Sequence, residues 1–220
     1  MDPLLARLSQ VDACAVSDAL DRSGIAGVAL GLQPVSGQKR IVGRAVTVQL
    51  GPDDKRASKR HLCTAAVDAS GPESIIVIAH EGRLDVAGWG GILSLAAKGK
   101  GAAGVIVDGA CRDVDESREM GLSVYARATV PITARGRIIE TGWNEPVVIS
   151  GVGVAPGDYV VADGSGVVFI PAEKIEEVLA LAERISARER LMAKDVLAGK
   201  PVAEVMGADY ETMLNTGANP

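Results

Sequence analysis

Arg112 and Asp113 stand side by side just past a short aliphatic run, Gly104 to Asp108, and downstream of a glycine pair, Gly90 and Gly91, that opens an apolar helix. A guanidinium grips carboxylate oxygens through two parallel N–H bonds, and a single carboxylate can anchor a hard divalent cation that keeps most of its waters. Backbone N–H groups at a helix start hold anionic oxygens. The stretch Trp89 to Asp113, WGGILSLAAKGKGAAGVIVDGACRD, therefore reads as an anion receptor beside a cation ligand. An acidic small molecule suits it.

Each of these residues has a structural account as well. Arg112 could be a surface ion-pair residue and Asp113 the N-cap of the polar stretch DVDESREMG. The glycines at 90 and 91 could simply permit a tight strand-to-helix connection. Asp108 could face a metal or cap the turn at Gly109, and the structural role is the expectation. Ser17 and Asp18 lie on a predicted helix, where capping or packing is the default. His61 and His80 have no second histidine at i+4, so they form no zinc pair of the HExxH type, and a solvated loop is expected around His80. No serine nucleophile elbow is present, and Lys98 reads as part of an exposed helix end rather than a Schiff-base lysine. Gly151 to Gly157 misses the dinucleotide spacing, and Pro156 would break the helix that must follow it.

The elements that position these residues follow from periodicity. Leu4, Leu5 and Leu8 share a helix face, and a second helix from Val11 to Leu20 stops at Gly24. Ile41 to Leu50 alternates as a strand with Val42, Val46 and Val48 on one side. A helix from about Ser58 to Ala69 leads to a strand over Ser74 to Ala79. Gly104 to Asp108, apolar on both faces, is expected to be a central buried strand. Beyond Asp113 come short strands, Leu122–Ala126, Val147–Ser150, Tyr159–Ala162 and Val167–Ile170, with a hairpin at Asp163-Gly164-Ser165-Gly166. From Pro171, Ile175, Val178, Ala182, Ile185, Met192 and Val196 recur with helical spacing, predicting a long amphipathic helix. Helix–strand units followed by a β-rich half imply an α/β layered fold.

Composition sets the outer limits. At 220 residues and 47% apolar content, with no linker-like run, one domain over 1–220 is expected, its residues 172–213 a helical extension. A net charge of −5 without a basic cluster argues against nucleic acid as the main partner. The nearest candidate, Lys55, Arg56, Lys59 and Arg60, is better explained as a solvated helix face. Cys14, Cys63 and Cys111 are odd in number and unpaired in spacing, which reads as reduced thiols in a cytoplasmic protein. No run of about 18 apolar residues and no signal-peptide pattern is present.

The glycine block also carries a family likeness. Gly88-Trp89-Gly90-Gly91-Ile92-Leu93, the Ala-Ala-Lys helix after it, Gly104-Val105-Ile106-Val107-Asp108-Gly109 and Arg112-Asp113 resemble the signature of the RraA-like proteins. Weaker likeness runs from Val16-Ser17-Asp18-Ala19-Leu20 to Val154-Ala155-Pro156-Gly157-Asp158 and Asp163-Gly164-Ser165-Gly166-Val167-Val168, so it covers most of residues 10 to 200. That family includes metal-dependent aldolases for 4-hydroxy-4-methyl-2-oxoglutarate and 4-carboxy-4-hydroxy-2-oxoadipate. The resemblance implies a swivelling β/β/α architecture, assembled as trimers or dimers of trimers. It implies that Arg112 binds the substrate carboxylate and keto oxygen, that Asp113 is the direct ligand of Mg²⁺ or Mn²⁺, and that the backbone of Gly90, Gly91, Ile92 and Leu93 binds a 2-oxo acid. Gly91 departs from the pattern, because related aldolases often carry there an acidic residue that helps to position a catalytic water.

Three functions compete. The first is a divalent-metal lyase that cleaves a 4-hydroxy-2-oxo acid to pyruvate and also decarboxylates oxaloacetate. The second is a non-catalytic regulator that binds a protein partner such as ribonuclease E, and the third a structural oligomer that keeps only the fold. The long C-terminal helix favours the lyase by resemblance, because the aldolases carry an extension that reaches a neighbouring subunit and can supply a glutamate. Glu183 and Glu189 are the candidates for that glutamate.

Overall fold

In a computed structural model, residues 2–37, 40–55 and 61–207 are described. Two helices come first, α1 (Pro3–Leu8) and α2 (Ala13–Arg22). Each begins at an aspartate whose carboxylate accepts a backbone N–H of the first turn: Asp2 from Leu4 at 2.8 Å and Asp12 from Ala15 at 2.8 Å. Short strands β1 (Val28–Ala29) and β2 (Gln33–Ser36) lead to the long β3 (Ile41–Pro52). Three helix–strand units follow: α3 (Thr64–Ala69) with β4 (Ser74–Ala79), α4 (Gly91–Gly99) with β5 (Gly104–Cys111), and α5 (Val114–Glu119) with β6 (Val124–Thr129). The β-rich part is β7 (Ile138–Trp143), β8 (Val147–Ile149), β9 (Val152–Val154), β10 (Tyr159–Asp163) and β11 (Gly166–Ile170). After a 3-10 turn at Ala172–Lys174 come α6 (Ile175–Leu197) and the short α7 (Val202–Val205).

Strands β3, β4, β5 and β6 lie side by side and parallel, at the centre of a nine-stranded sheet with the order β1-β11-β10-β3-β4-β5-β6-β2 and β7 paired to the far half of β3. Strict alternation along these strands sends neighbouring side chains to opposite faces. Ile76, Ile78, Val105 and Val107 face one layer, where Leu62, Ala66, Val67, Leu93 and Ala97 from the α3 and α4 segments cover them. Ile75, Val77, Ala79 and Ile106 face the other, packed against the β8–β9 hairpin and residues of β10 and β11. The outer side of β10 and β11 is sealed by α1, α2 and α6. Covering both faces is what makes β4 and β5 continuous apolar runs rather than alternating ones.

The α/β layered reading holds, together with the long C-terminal helix and the hairpin, whose register pairs Asp163 with Gly166. Val42, Val46, Val48 and Leu50 do share one side of β3. Several boundaries move. Strand β5 runs on to Cys111 and is buried throughout, and β6 starts at Val124 rather than Leu122. Within the described residues the helix expected from Ser58 begins only at Thr64; Ser58 lies outside them, as do Arg56, Lys59 and Arg60 of the basic run. Strands β1, β2, β7 and β9 escape prediction because they are short or amphipathically irregular and are held by pairing. The apolar stripe of α6 is buried only in its first half: Ile175, Val178, Ala182 and Ile185 are covered, but Val196 is 41% exposed. The part of the 172–213 extension beyond Gly207 lies outside the described residues.

Candidate functional site

The central strand ends in a sharp turn that brings three elements together. Asp113 follows β5 with a left-handed backbone, φ 56° and ψ 38°, a conformation uncommon for a residue with a side chain. It occupies the N-cap position of α5, yet its carboxylate makes no capping bond to that helix. The side chain turns instead to the neighbouring helix, where Oδ2 accepts the Gly91 N–H at 2.9 Å. Helix α4 has no capping side chain of its own, because its N-cap is Gly90, and no acid in its first turn. Asp113 therefore caps α4 from a distance, its negative charge placed at the positive end of the helix.

Arg112 is held next to it. Its Nε lies 3.2 Å from Asp113 Oδ2, and its backbone N–H donates to the Trp89 carbonyl at 3.0 Å. Trp89 in turn donates its indole Nε1–H to Ser94 Oγ at 2.8 Å, and Ser94 Oγ meets Ser117 Oγ at 2.9 Å. This buried chain locks the starts of α4 and α5 to each other. The closeness also explains Gly90, since a Cβ there would stand 2.9 Å from Asp113 Oδ2 and 3.2 Å from Arg112 Nε.

Arg112, Asp113 and the Gly90–Leu93 backbone line a cavity of about 380 Å³. The two ionic side chains remain 38% and 33% exposed, so each keeps bonding capacity for a ligand. Among the described residues, no hydrogen bond engages the terminal nitrogens of Arg112 or the second oxygen of Asp113. Leu93 is buried, whereas Ile92 is 81% exposed, so of that pair Leu93 belongs to the core and Ile92 to the cavity rim. The structure thus brings together all six residues singled out from sequence: Gly90, Gly91, Ile92, Leu93, Arg112 and Asp113.

The nucleophiles nearby are silenced. Cys111, adjoining Arg112, is buried, and burial with the Asp113 charge pushes its thiol up to about 12. Cys63 is likewise raised well above its ordinary value by burial. His80 is buried, not in a solvated loop, with a ring nitrogen, Nε2, 2.9 Å from the Val86 carbonyl, and burial lowers its pKa. Its ring packs against Gly88 and Gly109 and supports the turn from below.

The donor set discriminates between metals. Among the described residues, no group of three His, Cys, Asp or Glu could hold an ion. A tetrahedral zinc site needs three or four such ligands. Mg²⁺ or Mn²⁺ fits better, since Mg²⁺ is commonly held by one or two carboxylates with waters and substrate oxygens completing the shell.

Other candidates resolve differently. Asp108 points to the opposite face of the sheet, where Arg127 Nε and the Ser150 N–H bind its two oxygens; it is structural, though it does not cap Gly109. Glu183 is tied to Arg7 at 2.8 Å, and Glu189 faces Asp12 and Asp18. Within this chain both belong to the α1–α2–α6 layer. His61, which the sequence pattern gave no reason to place in a site, lines the cavity together with Thr133 and Arg135, which no motif marks. The last two sit on the loop before β7, which is pinned where the Ala87 N–H donates to the Ile132 carbonyl at 3.0 Å. No local motif marks that loop, since pairing of β7 with β3 brings it over the site.

The fold is a layered α/β one, with a carboxylate and a guanidinium at the carboxyl end of its central parallel strand. The chain belongs to the RraA-like (Aldolase/RraA) family, whose model matches residues 13–169. It is 34% identical over 195 residues to a Halalkalibacterium halodurans protein named as a candidate 4-hydroxy-4-methyl-2-oxoglutarate aldolase, covering 87% of this chain and 89% of that protein. It is 31% identical over 210 residues to Protein DlpA of Legionella pneumophila, covering 96% of this chain but spanning only 34% of that protein. The solved structure of Streptomyces coelicolor RraAS2, described as an unusual member of the RNase ES inhibitor RraA family, superposes with a TM-score of 0.79 at 26% identity, over 87% of this chain and 96% of that one.

Proposed function

We propose that this protein is a divalent-metal-dependent carbon–carbon lyase that cleaves a 4-hydroxy-2-oxo acid to pyruvate and also decarboxylates oxaloacetate. One observation carries the reading: Arg112 and Asp113 converge on the N-terminus of α4 with open bonding capacity, facing a cavity of metabolite size. Asp113 would hold Mg²⁺ or Mn²⁺, which when bound supplies Lewis-acid polarisation of the keto group. Arg112 adds a fixed positive charge against the substrate carboxylate and keto oxygen, oriented by its bond to Trp89 and by Asp113. As the C3–C4 bond breaks, its electron pair moves toward the keto oxygen, and a preorganised guanidinium is worth most where that charge develops. The Ile92 and Leu93 amides at the helix start, beside the Gly91 N–H already taken by Asp113, favour the same anion. Family likeness to the named aldolase candidates supports this reaction class, and a homotrimer or dimer of trimers in the cytoplasm is the assembly we propose.

The second reading is a regulator that binds a protein such as a ribonuclease, motivated by the RraAS2 likeness. It gives no reason for an Arg–Asp pair left open inside a cavity. Pyruvate release from 4-hydroxy-4-methyl-2-oxoglutarate and from oxaloacetate, with Mg²⁺ or Mn²⁺ and with chelator, tests the choice. Metal-dependent turnover abolished by Asp113→Ala is expected. No turnover with either substrate, together with tight ribonuclease binding, would replace the lyase with the regulator.

A further inference from the structure

Gly91 is the first residue of α4, and the position its Cβ would take is already filled by the carboxylate of Glu116 from α5; Glu116 Cδ is 3.0 Å from that point and Asp113 Cβ 3.2 Å. A glycine here does not leave a gap. It admits a carboxylate from the adjacent helix, one turn along from Asp113. Glu116 also lines an open cleft of about 400 Å³ together with Arg112 and Asp113. No hydrogen bond or ion pair to another described residue engages its carboxylate, although Arg118, on the same helix, is taken by Asp115 at 2.6 Å. The starts of α4 and α5 are fastened by Ser94 and Ser117, so the placement of Glu116 is set by packed elements rather than by a wandering loop.

Asp113 cannot easily serve as a proton acceptor, because one oxygen already binds the Gly91 N–H and Arg112, and the other is the oxygen left for a cation. Retro-aldol cleavage must nevertheless remove the proton of the C4 hydroxyl. We infer that Glu116, whose carboxylate fills the space beside Gly91, is the positioning residue for that proton transfer. The inference rests on the lyase reading above. Glu116 orders a water at the start of α4. The C4 hydroxyl passes its proton to this water as the water passes one to the Glu116 carboxylate, the C4–O bond becomes a carbonyl, and the C3–C4 pair becomes the pyruvate enolate. Decarboxylation of oxaloacetate has no hydroxyl proton to lose, so it makes no use of Glu116.

This asymmetry supplies the test. In the Mg²⁺-loaded protein, Glu116→Ala should lower kcat for 4-hydroxy-4-methyl-2-oxoglutarate about 100-fold, the ordinary scale for a lost proton-transfer group. KM should move less than about threefold, and so should oxalate inhibition and oxaloacetate decarboxylation, since Arg112 and Asp113 are untouched. The double variant Gly91→Asp/Glu116→Ala, which moves the carboxylate back onto α4, should regain at least tenfold of the lost aldol cleavage. Undiminished aldol cleavage in Glu116→Ala, or equal losses on both substrates, would overturn the inference while leaving the lyase intact. A wild-type protein that turns over neither substrate removes the lyase reading, and Glu116's role with it.

Discussion

Two aspartate–arginine pairs have their aspartates on or just beyond strand β5, and they have opposite uses. Asp108 and Arg127 lie on the face covered by the β8–β9 hairpin, where the Asp108 side chain is 6% exposed and both its oxygens are engaged, by Arg127 and by the Ser150 N–H. Arg127 also donates to Ser150 Oγ at 2.8 Å, so the pair nails the hairpin to the sheet. Arg112 and Asp113, just past the end of the same strand, are about one-third exposed and keep unused donors and an acceptor toward a cavity. The chemistry of the two pairs is the same. What separates structure from function is whether every hydrogen-bonding position is filled before a ligand arrives.

The largest expected effect is at Asp108. Removing one partner of a buried pair leaves the other charge uncompensated, so Asp108→Ala should lose about 3–5 kcal/mol of unfolding free energy. Urea denaturation measures this, and a loss below about 1 kcal/mol would show that the Asp108–Arg127 pair does not hold the hairpin to the sheet. Asp113→Asn should behave in reverse. The amide oxygen can still accept the Gly91 N–H, so the urea midpoint should hardly move, while metal-dependent pyruvate release falls by about 10³-fold, on the scale of losing a key electrostatic group.

Arg112→Lys probes the open pair at the cavity. A lysine keeps the charge but not the fork that binds two oxygens at once, so kcat/KM for oxaloacetate should fall about 10- to 100-fold with the fold intact. The smallest effect concerns the support beneath the site. Burial lowers the pKa of His80, so near pH 6 the unfolded chain, with an ordinary value of about 6.5, binds more protons than the folded one. Stability from neutral His80 is then complete above about pH 6.5 and declines as the pH falls below it, by at most about 1.4 kcal/mol per pH unit. Denaturation of the protein and of His80→Asn at pH 7 and pH 5.5 reads this directly; equal pH slopes would remove His80 from the account.

Local residue patterns are enough to specify the central strands, the glycine turn and two adjacent charges, Arg112 and Asp113. Those features are local: an all-aliphatic run declares a strand buried on both faces, and a few adjacent residues declare a helix start and two charges. Tertiary structure decided where those charges went. Asp113 sits at the start of α5 yet caps α4, Glu116 fills the place beside Gly91, and the loop carrying Thr133 and Arg135 roofs the cavity because β7 pairs with β3. Asp108, five residues from Asp113, went to the other side of the sheet. Each of these outcomes depends on contacts between segments distant in the chain, and the physical reason is that side-chain direction and burial are set by packing partners that no stretch of neighbouring residues specifies.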